Sequence, residues 1–330
     1  KYENSILNDW TTNEKWFTIS NGESGTDEGT ITVQVDTNDS GDERIGEITV
    51  VSEGAFNSPM TIQIQQLAEQ YYNGPVWHVS PNGSDETGDG SEFAPFATIQ
   101  YAIDLANNGT DTVLVHEGHY FENIDFRGKN IVVTSAQGAQ NTIIDGNNTG
   151  RVVTIISNGN DEDAELSGFT ITGGYLDGCY PEGIGGGIYC ENSRILLKDL
   201  IIENNYAEYS GGGIWVKESH QTLYHVVIRN NSSDYGGGAS FNFGSDTYLK
   251  NVLFYGNSAS IYGGAIDCYD GSNPLLENLT IDQNTASQYG GAICVRKNSN
   301  PTLWNSILFD NSPDEISFYD YEAPSSITVG

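Results

Sequence analysis

The sequence predicts a two-domain, all-β chain: a small Ig-like β-sandwich followed by a long parallel β-helix whose N-terminal end is covered by one helix. Three observations predict it. Residues 184–312 repeat with a period in the twenties. Each repeat holds short β-type runs broken by Gly, Asn and Ser, with no helical period. Residues 1–68 instead alternate apolar and polar side chains with period two.

In the N-terminal stretch, Ile31, Val33 and Val35 alternate with polar residues, as do Ile48 with Val50 and Ile62 with Ile64. The acidic, turn-rich stretches NGESGTDEG and DTNDSGDER separate them, as expected of short antiparallel strands with one face buried. The segment KWFTISNGESGTDEGTITVQVDTN, then ERIGEITV and MTIQIQQ, resembles a BACON domain, with Trp16, Ile19, Arg44 before Gly46, and Gln65-Gln66 carrying the match. That resemblance implies an immunoglobulin-like module of a secreted carbohydrate-active protein. Trp16 is expected to anchor its core, with sugar stacking as the alternative.

Residues 69–75 read as a linker, and the β-helix is expected over 76–330. Phe96, Ile99, Ile103 and Ala106 share one helical face, which predicts a capping helix over 96–106. An open solenoid end exposes unpaired backbone, and such a helix covers it. Less regular coils follow: DTVLVHEGHYFENIDFRGKNIVVTSA, NTIIDG and ELSGFTITGG.

The regular coils align in columns. Glycine runs precede Cys190, Val216, Phe241, Cys268 and Val295, and asparagines stand at 205, 231, 257, 284 and 311. Eight positions before each Asn is Leu197, Leu223, Leu249, Leu276 or Leu303. Three before each is Ile202, Ile228, Phe254, Ile281 or Leu308. Coils stacked about 4.8 Å apart put like over like, so these columns become interior ladders. The asparagines suit a turn where amides bond up and down the stack and where Asn tolerates the left-handed conformation. The glycines suit a corner that admits no Cβ.

The segment from Val76 to Asn107, with the GGGI and Asn repeats, resembles pectate-lyase-like right-handed parallel β-helices of the DUF1565 type and of secreted proteins with a choice-of-anchor Q region. The glycine and Asn pairing is also similar to that of polymorphic outer-membrane adhesins. The resemblance implies an extracellular or cell-surface protein of carbohydrate-rich surroundings.

The chain carries 45 acidic and 13 basic residues, a net charge of −32. That excludes a nucleic-acid footprint and docking on anionic lipid. No run is long and apolar enough for a membrane span. The spacing of Cys179, Cys190, Cys268 and Cys294 supports neither zinc nor a disulfide framework; Cys190 and Cys268 read as small buried hydrophobes. The last strand-like run, ending at Gly330, is expected to be open to self-association, end to end.

Two chemistries compete. In a β-helix lyase, calcium is held by carboxylates and an Arg or Lys abstracts a proton; Arg296 and Lys297, with Asp267 and Asp270 one coil earlier, are the residues that fit. A hydrolase would need paired acids, and the cluster Asp161, Glu162, Asp163 reads instead as a solvated turn. The other chemistry is binding without catalysis. Tyr189 and Trp215 are expected to stack on adjacent coils and face outward, either as a platform for a polysaccharide or cell-surface glycan or beneath the loop 175–183. His220 and His225 are expected at the surface. An adhesive, non-catalytic surface protein is the primary expectation, and a polysaccharide lyase or hydrolase the alternative.

Overall fold

In the computed structural model, residues 10–11, 15–22, 31–38, 43–50, 58–66, 72–159, 161–319 and 324–330 are described. The chain divides into two compact units, Lys1–Tyr71 and Tyr72–Gly330. The acidic stretches at 23–30 and 39–42, and residues 69–71 of the expected linker, lie outside the described residues.

Among the described residues, the strand pairings of the first unit are all antiparallel. Arg44–Val50 is flanked by Trp10–Thr11 and Met60–Gln66 in one sheet, and Phe17–Gly22 pairs with Ile31–Val35 in another. Phe17 and Ile48 are buried. Val35 and Ile62, expected to face inward, are instead exposed by 41% and 37%: the small sheets lay nothing over them among the described residues. Arg44 ties the unit together. Its guanidinium lies 4.6 Å over the ring of Trp16, while Nε donates to Gln66 and Nη2 to the carbonyls of Asp36 and Thr37. Trp16 is half-buried there, edge-on to Phe17.

The second unit is a parallel β-solenoid of four sheets. A ten-stranded sheet runs from Val76–Val79 to Thr328–Val329. Two eight-stranded sheets begin at Gly118–Phe121 and at Ile124–Asp125, and a five-stranded one begins at Tyr175–Leu176. Leu197, Leu223, Leu249, Leu276 and Leu303 stack in register, as do Ile202, Ile228, Phe254, Ile281 and Leu308. All but Leu303 and Leu308 are fully buried.

The asparagine column is a continuous ladder. Asn231 Oδ1 accepts from Asn205 N and Nδ2 at 3.0 and 3.1 Å; Asn257, Asn284 and Asn311 repeat the pattern at 2.9–3.0 Å. Each Nδ2 also donates to a strand carbonyl, as Asn257 does to Ile228 O at 2.8 Å. The left-handed residues, however, are the preceding ones: Asn204, Asn230, Gly256, Gln283 and Asp310, with φ of 54–62°. Turning the backbone there frees the next side chain to point inward, so bending and bonding are divided between neighbours.

A second ladder runs through Ser193, Ser219, Ser245, Ser272 and Ser299, all fully buried. Ser219, Ser272 and Ser299 hydroxyls accept from the backbone N–H of Ser193, Ser245 and Ser272. Asp161 ends it, accepting from Ser193 Oγ at 2.6 Å and Arg194 N at 3.0 Å. Asp161 is therefore buried, not part of a solvated turn, because the first rung needs an acceptor. The glycine corner behaves as the pattern predicts. Gly236 has φ of +65°, and a Cβ on Gly237 would lie 2.3 Å from Ser258 O.

The capping helix spans Ile99–Leu105, shorter than 96–106. Phe96 is buried but belongs to the first strand's edge, where its N–H donates to His78 O and its ring stacks on Trp77. Thr98 then caps the helix. Glu122 accepts from the N–H groups of Ile99 and Gln100, and Lys129 Nζ donates to three carbonyls at the other end. Asp111 joins helix to solenoid, accepting from Trp77 Nε1 and Asn107 N at 2.7 Å each and from Thr110 Oγ1 at 2.8 Å. Burial pushes its carboxyl pKa up, but these hydrogen bonds outweigh that and hold it below the usual carboxylate range. A depressed carboxyl stabilises the fold above its unfolded pKa, and the contribution drains away as pH falls through the folded value. Asp111→Ala is expected to cost about 2–4 kcal/mol at neutral pH, from the stranded Trp77 and Asn107 donors. Urea unfolding from pH 7 to pH 3 checks it: the variant's deficit narrows below about pH 4.

Candidate functional site

The site lies on the outer face of the eight-stranded sheet that begins at Ile124–Asp125. Parallel register stacks Tyr189, Trp215, Ser240, Asp267, Cys294 and Ser317 in one outward column. Two residues further along each strand lie Glu191, Lys217, Asn242, Tyr269 and Arg296. Before each of the last four glycine corners stands a tyrosine: Tyr209, Tyr235, Tyr262 and Tyr289, with successive ring centroids 5.2, 5.7 and 5.5 Å apart. The tight corner folds this row against the sheet face and leaves a cleft of about 210 Å³ between them.

Arg296 is its polar centre. Nε and Nη2 donate to the two oxygens of Asp267 at 2.8 and 2.6 Å. Asp267 is wholly buried, and the Arg296 side chain is 13% exposed. Tyr235, Tyr262 and Tyr269 surround the guanidinium, 4.7–5.0 Å from each ring centroid. Burial alone would lower the Arg296 pKa, but the charge and hydrogen bonds of Asp267 raise it overall. Burial likewise pushes the phenols of Tyr209 and Tyr235 up. Beside them Asn242 donates its amide to Ser240 Oγ and Val216 O, which leaves its Oδ1 as an acceptor.

Tyr189 and Trp215 do stack, at 5.0 Å and 18°, but they do not form an exposed platform. Tyr189 is 9% and Trp215 1% exposed. Arg151 lies 4.6 Å over Tyr189, and the insertion after Gly174 brings Tyr180 to 6.4 Å from Trp215 and 6.0 Å from Tyr209. Trp215 is thus part of the cleft's floor, and Tyr180 its half-exposed wall.

The residues proposed for proton abstraction are placed otherwise than that chemistry needs. Arg296 is held protonated by Asp267. Lys297 sits on the following turn, its Nζ 2.9 Å from Asp270, and that hydrogen bond raises its pKa. A general base has to give up its proton first, and both cations are stabilised against doing so. Asp267 and Asp270 are each committed to a cation, and among the described residues no group of three or more His, Cys, Asp or Glu side chains could hold a metal ion.

All four cysteines are free. Cys190 is an interior residue whose thiol burial pushes up to about 12, and Cys268 is in the same column. His220 and His225 are exposed, the latter 3.5 Å from Asp199. The tyrosine row was missed in the sequence although it was signalled there: Tyr209, Tyr235, Tyr262 and Tyr289 each stand one or two positions before a glycine run, at separations of 26, 27 and 27.

The family model for the right handed beta helix region matches residues 153–328, and the BACON model matches residues 8–67. No curated protein matches the chain in sequence. Similar solved structures include a pectin methylesterase in complex with a hexasaccharide (13% identity, 76% of this chain and 89% of that one, TM-score 0.39). A pectin methylesterase from carrot is 13% identical over 79% of this chain and 85% of that one, with a TM-score of 0.37. A lacto-N-biosidase from Eubacterium ramulus is 13% identical over 77% and 68%, with a TM-score of 0.31. Likenesses at this level say nothing about the cleft.

Proposed function

The chain belongs to the right-handed β-helix family and carries a BACON domain before it; on that footing we propose an extracellular, non-catalytic protein that binds a carbohydrate surface through its aromatic cleft. One observation supports this above the others. Arg296 is clamped by Asp267 and three tyrosine rings, yet it lines the cleft, and Nη1 takes no part in the Asp267 clamp. A few fixed polar groups among apolar walls are the general form of a ligand site. Aromatic faces stack against the C–H side of a pyranose, and pre-set donors orient its hydroxyls at little entropic cost. The surface charge of −32 keeps such a protein soluble and turns it away from polyanions.

Affinity electrophoresis of the full chain against a panel of neutral and uronic-acid polysaccharides tests the reading. We expect retardation by at least one neutral polysaccharide, weakened about tenfold by Tyr180→Ala with little change in melting temperature, since Tyr180 is half-exposed. Growth of ultraviolet absorbance from unsaturated uronide products would overturn the non-catalytic reading.

A further inference from the structure

The size and charge of the cleft narrow its ligand, given that it binds sugar at all. We propose that it receives a single, uncharged terminal pyranose ring, not the interior of a chain and not a uronic acid. The cleft, open to solvent on one side, offers about 210 Å³, below the roughly 300–1,000 Å³ of clefts that take drug-sized ligands. That is room for one sugar ring. A chain passing through would need an open trough along the stacked coils. Here Tyr180 stands over the floor on the side of the insertion, and Tyr269 packs against Arg296 on the other.

Charge decides between neutral and acidic rings. Arg296 is the cation that lines the cleft, and both oxygens of buried Asp267 already neutralise it. The cations beside it are paired as well: Lys297, 5.0 Å from the Tyr269 ring, is bound to Asp270 at 2.9 Å, and Lys217 to Glu191 at 2.6 Å. A carboxylate entering here would lose its hydration and find no net positive charge in return. A hydroxyl makes the same hydrogen bonds without that penalty. Arg296 Nη1 suits a hydroxyl oxygen, and Asn242 Oδ1 suits a hydroxyl hydrogen.

Saturation-transfer NMR and calorimetry on the full chain test this. The probes are methyl glycosides of glucose, galactose, mannose and N-acetylglucosamine, methyl glucuronide and galacturonide, and neutral and uronic tetrasaccharides of the same sugars. The expected result is binding of at least one neutral methyl glycoside within threefold of its tetrasaccharide. The matching uronide should bind at least tenfold more weakly, and Tyr180→Ala should lose the methyl-glycoside signal. Binding of tetrasaccharides at least tenfold tighter than any methyl glycoside, or a preference for uronides, overturns the terminal, neutral assignment and leaves carbohydrate binding standing. If neither glycosides nor tetrasaccharides bind, both fall.

Discussion

Replacing Arg296 by methionine is expected to cost the β-helix about 3–5 kcal/mol and to abolish carbohydrate binding. The cost comes from what remains behind. Asp267 is completely buried, both its oxygens accept from Arg296, and Met offers neither charge nor donor. The three tyrosines around the guanidinium would also lose its attraction and close on a thinner side chain. The double change Asp267→Leu with Arg296→Met is expected to recover most of the loss, because it leaves no buried charge unpaired. It should not recover binding, which needs the guanidinium's free donors. Guanidinium unfolding of the wild type, both single variants and the double variant gives the coupling energy, and binding measured on the same four proteins separates the two roles.

Interrupting the asparagine ladder is the other change of large effect. Asn257 is fully buried, donates to Ile228 O and Asn284 Oδ1, and accepts from both nitrogens of Asn231. Asn257→Ala strands polar groups on both neighbouring coils, for about 3–5 kcal/mol at 1–3 kcal/mol per buried group left unsatisfied. In a solenoid each coil is stabilised by its neighbours, so a break in the middle also weakens coupling between the two halves. The urea transition should therefore move to lower concentration and broaden. Ser260→Ala, which removes an exposed outer hydroxyl bonded to Asp234, is the control and should shift stability by less than about 0.5 kcal/mol.

The solenoid was legible because stacking converts sequence period into spatial contact. Leucine columns, the asparagine ladder and the glycine corner each leave a residue type at fixed spacing, and each landed where the period put it. What failed was what a period does not encode. The left-handed residue stands one position before each ladder Asn and is Asn, Gly, Gln or Asp in turn, since many side chains tolerate that backbone when the next residue bonds inward. Tyr189 and Trp215 alternate outward as expected; alternation alone does not choose between an open platform and cover by the loop 175–183, whose Tyr180 lies 6.4 Å from Trp215. In the sequence Arg296 is a cation near two acids. Its long side chain reaches back diagonally to Asp267, and the pair is a fixed ion pair with no free base. Both the serine ladder and the tyrosine row were written in the same 26- and 27-residue period; they went unread beside the louder glycines and asparagines.

The most direct measurement is a crystal structure of the full chain grown with the glycan it binds most tightly. The account predicts density for one terminal ring lying against Tyr180 and Tyr209, with a hydroxyl within hydrogen-bond reach of Arg296 Nη1 and the Asp267 clamp unchanged. Glycan density on the BACON domain or elsewhere on the solenoid, with the cleft holding none, would contradict it.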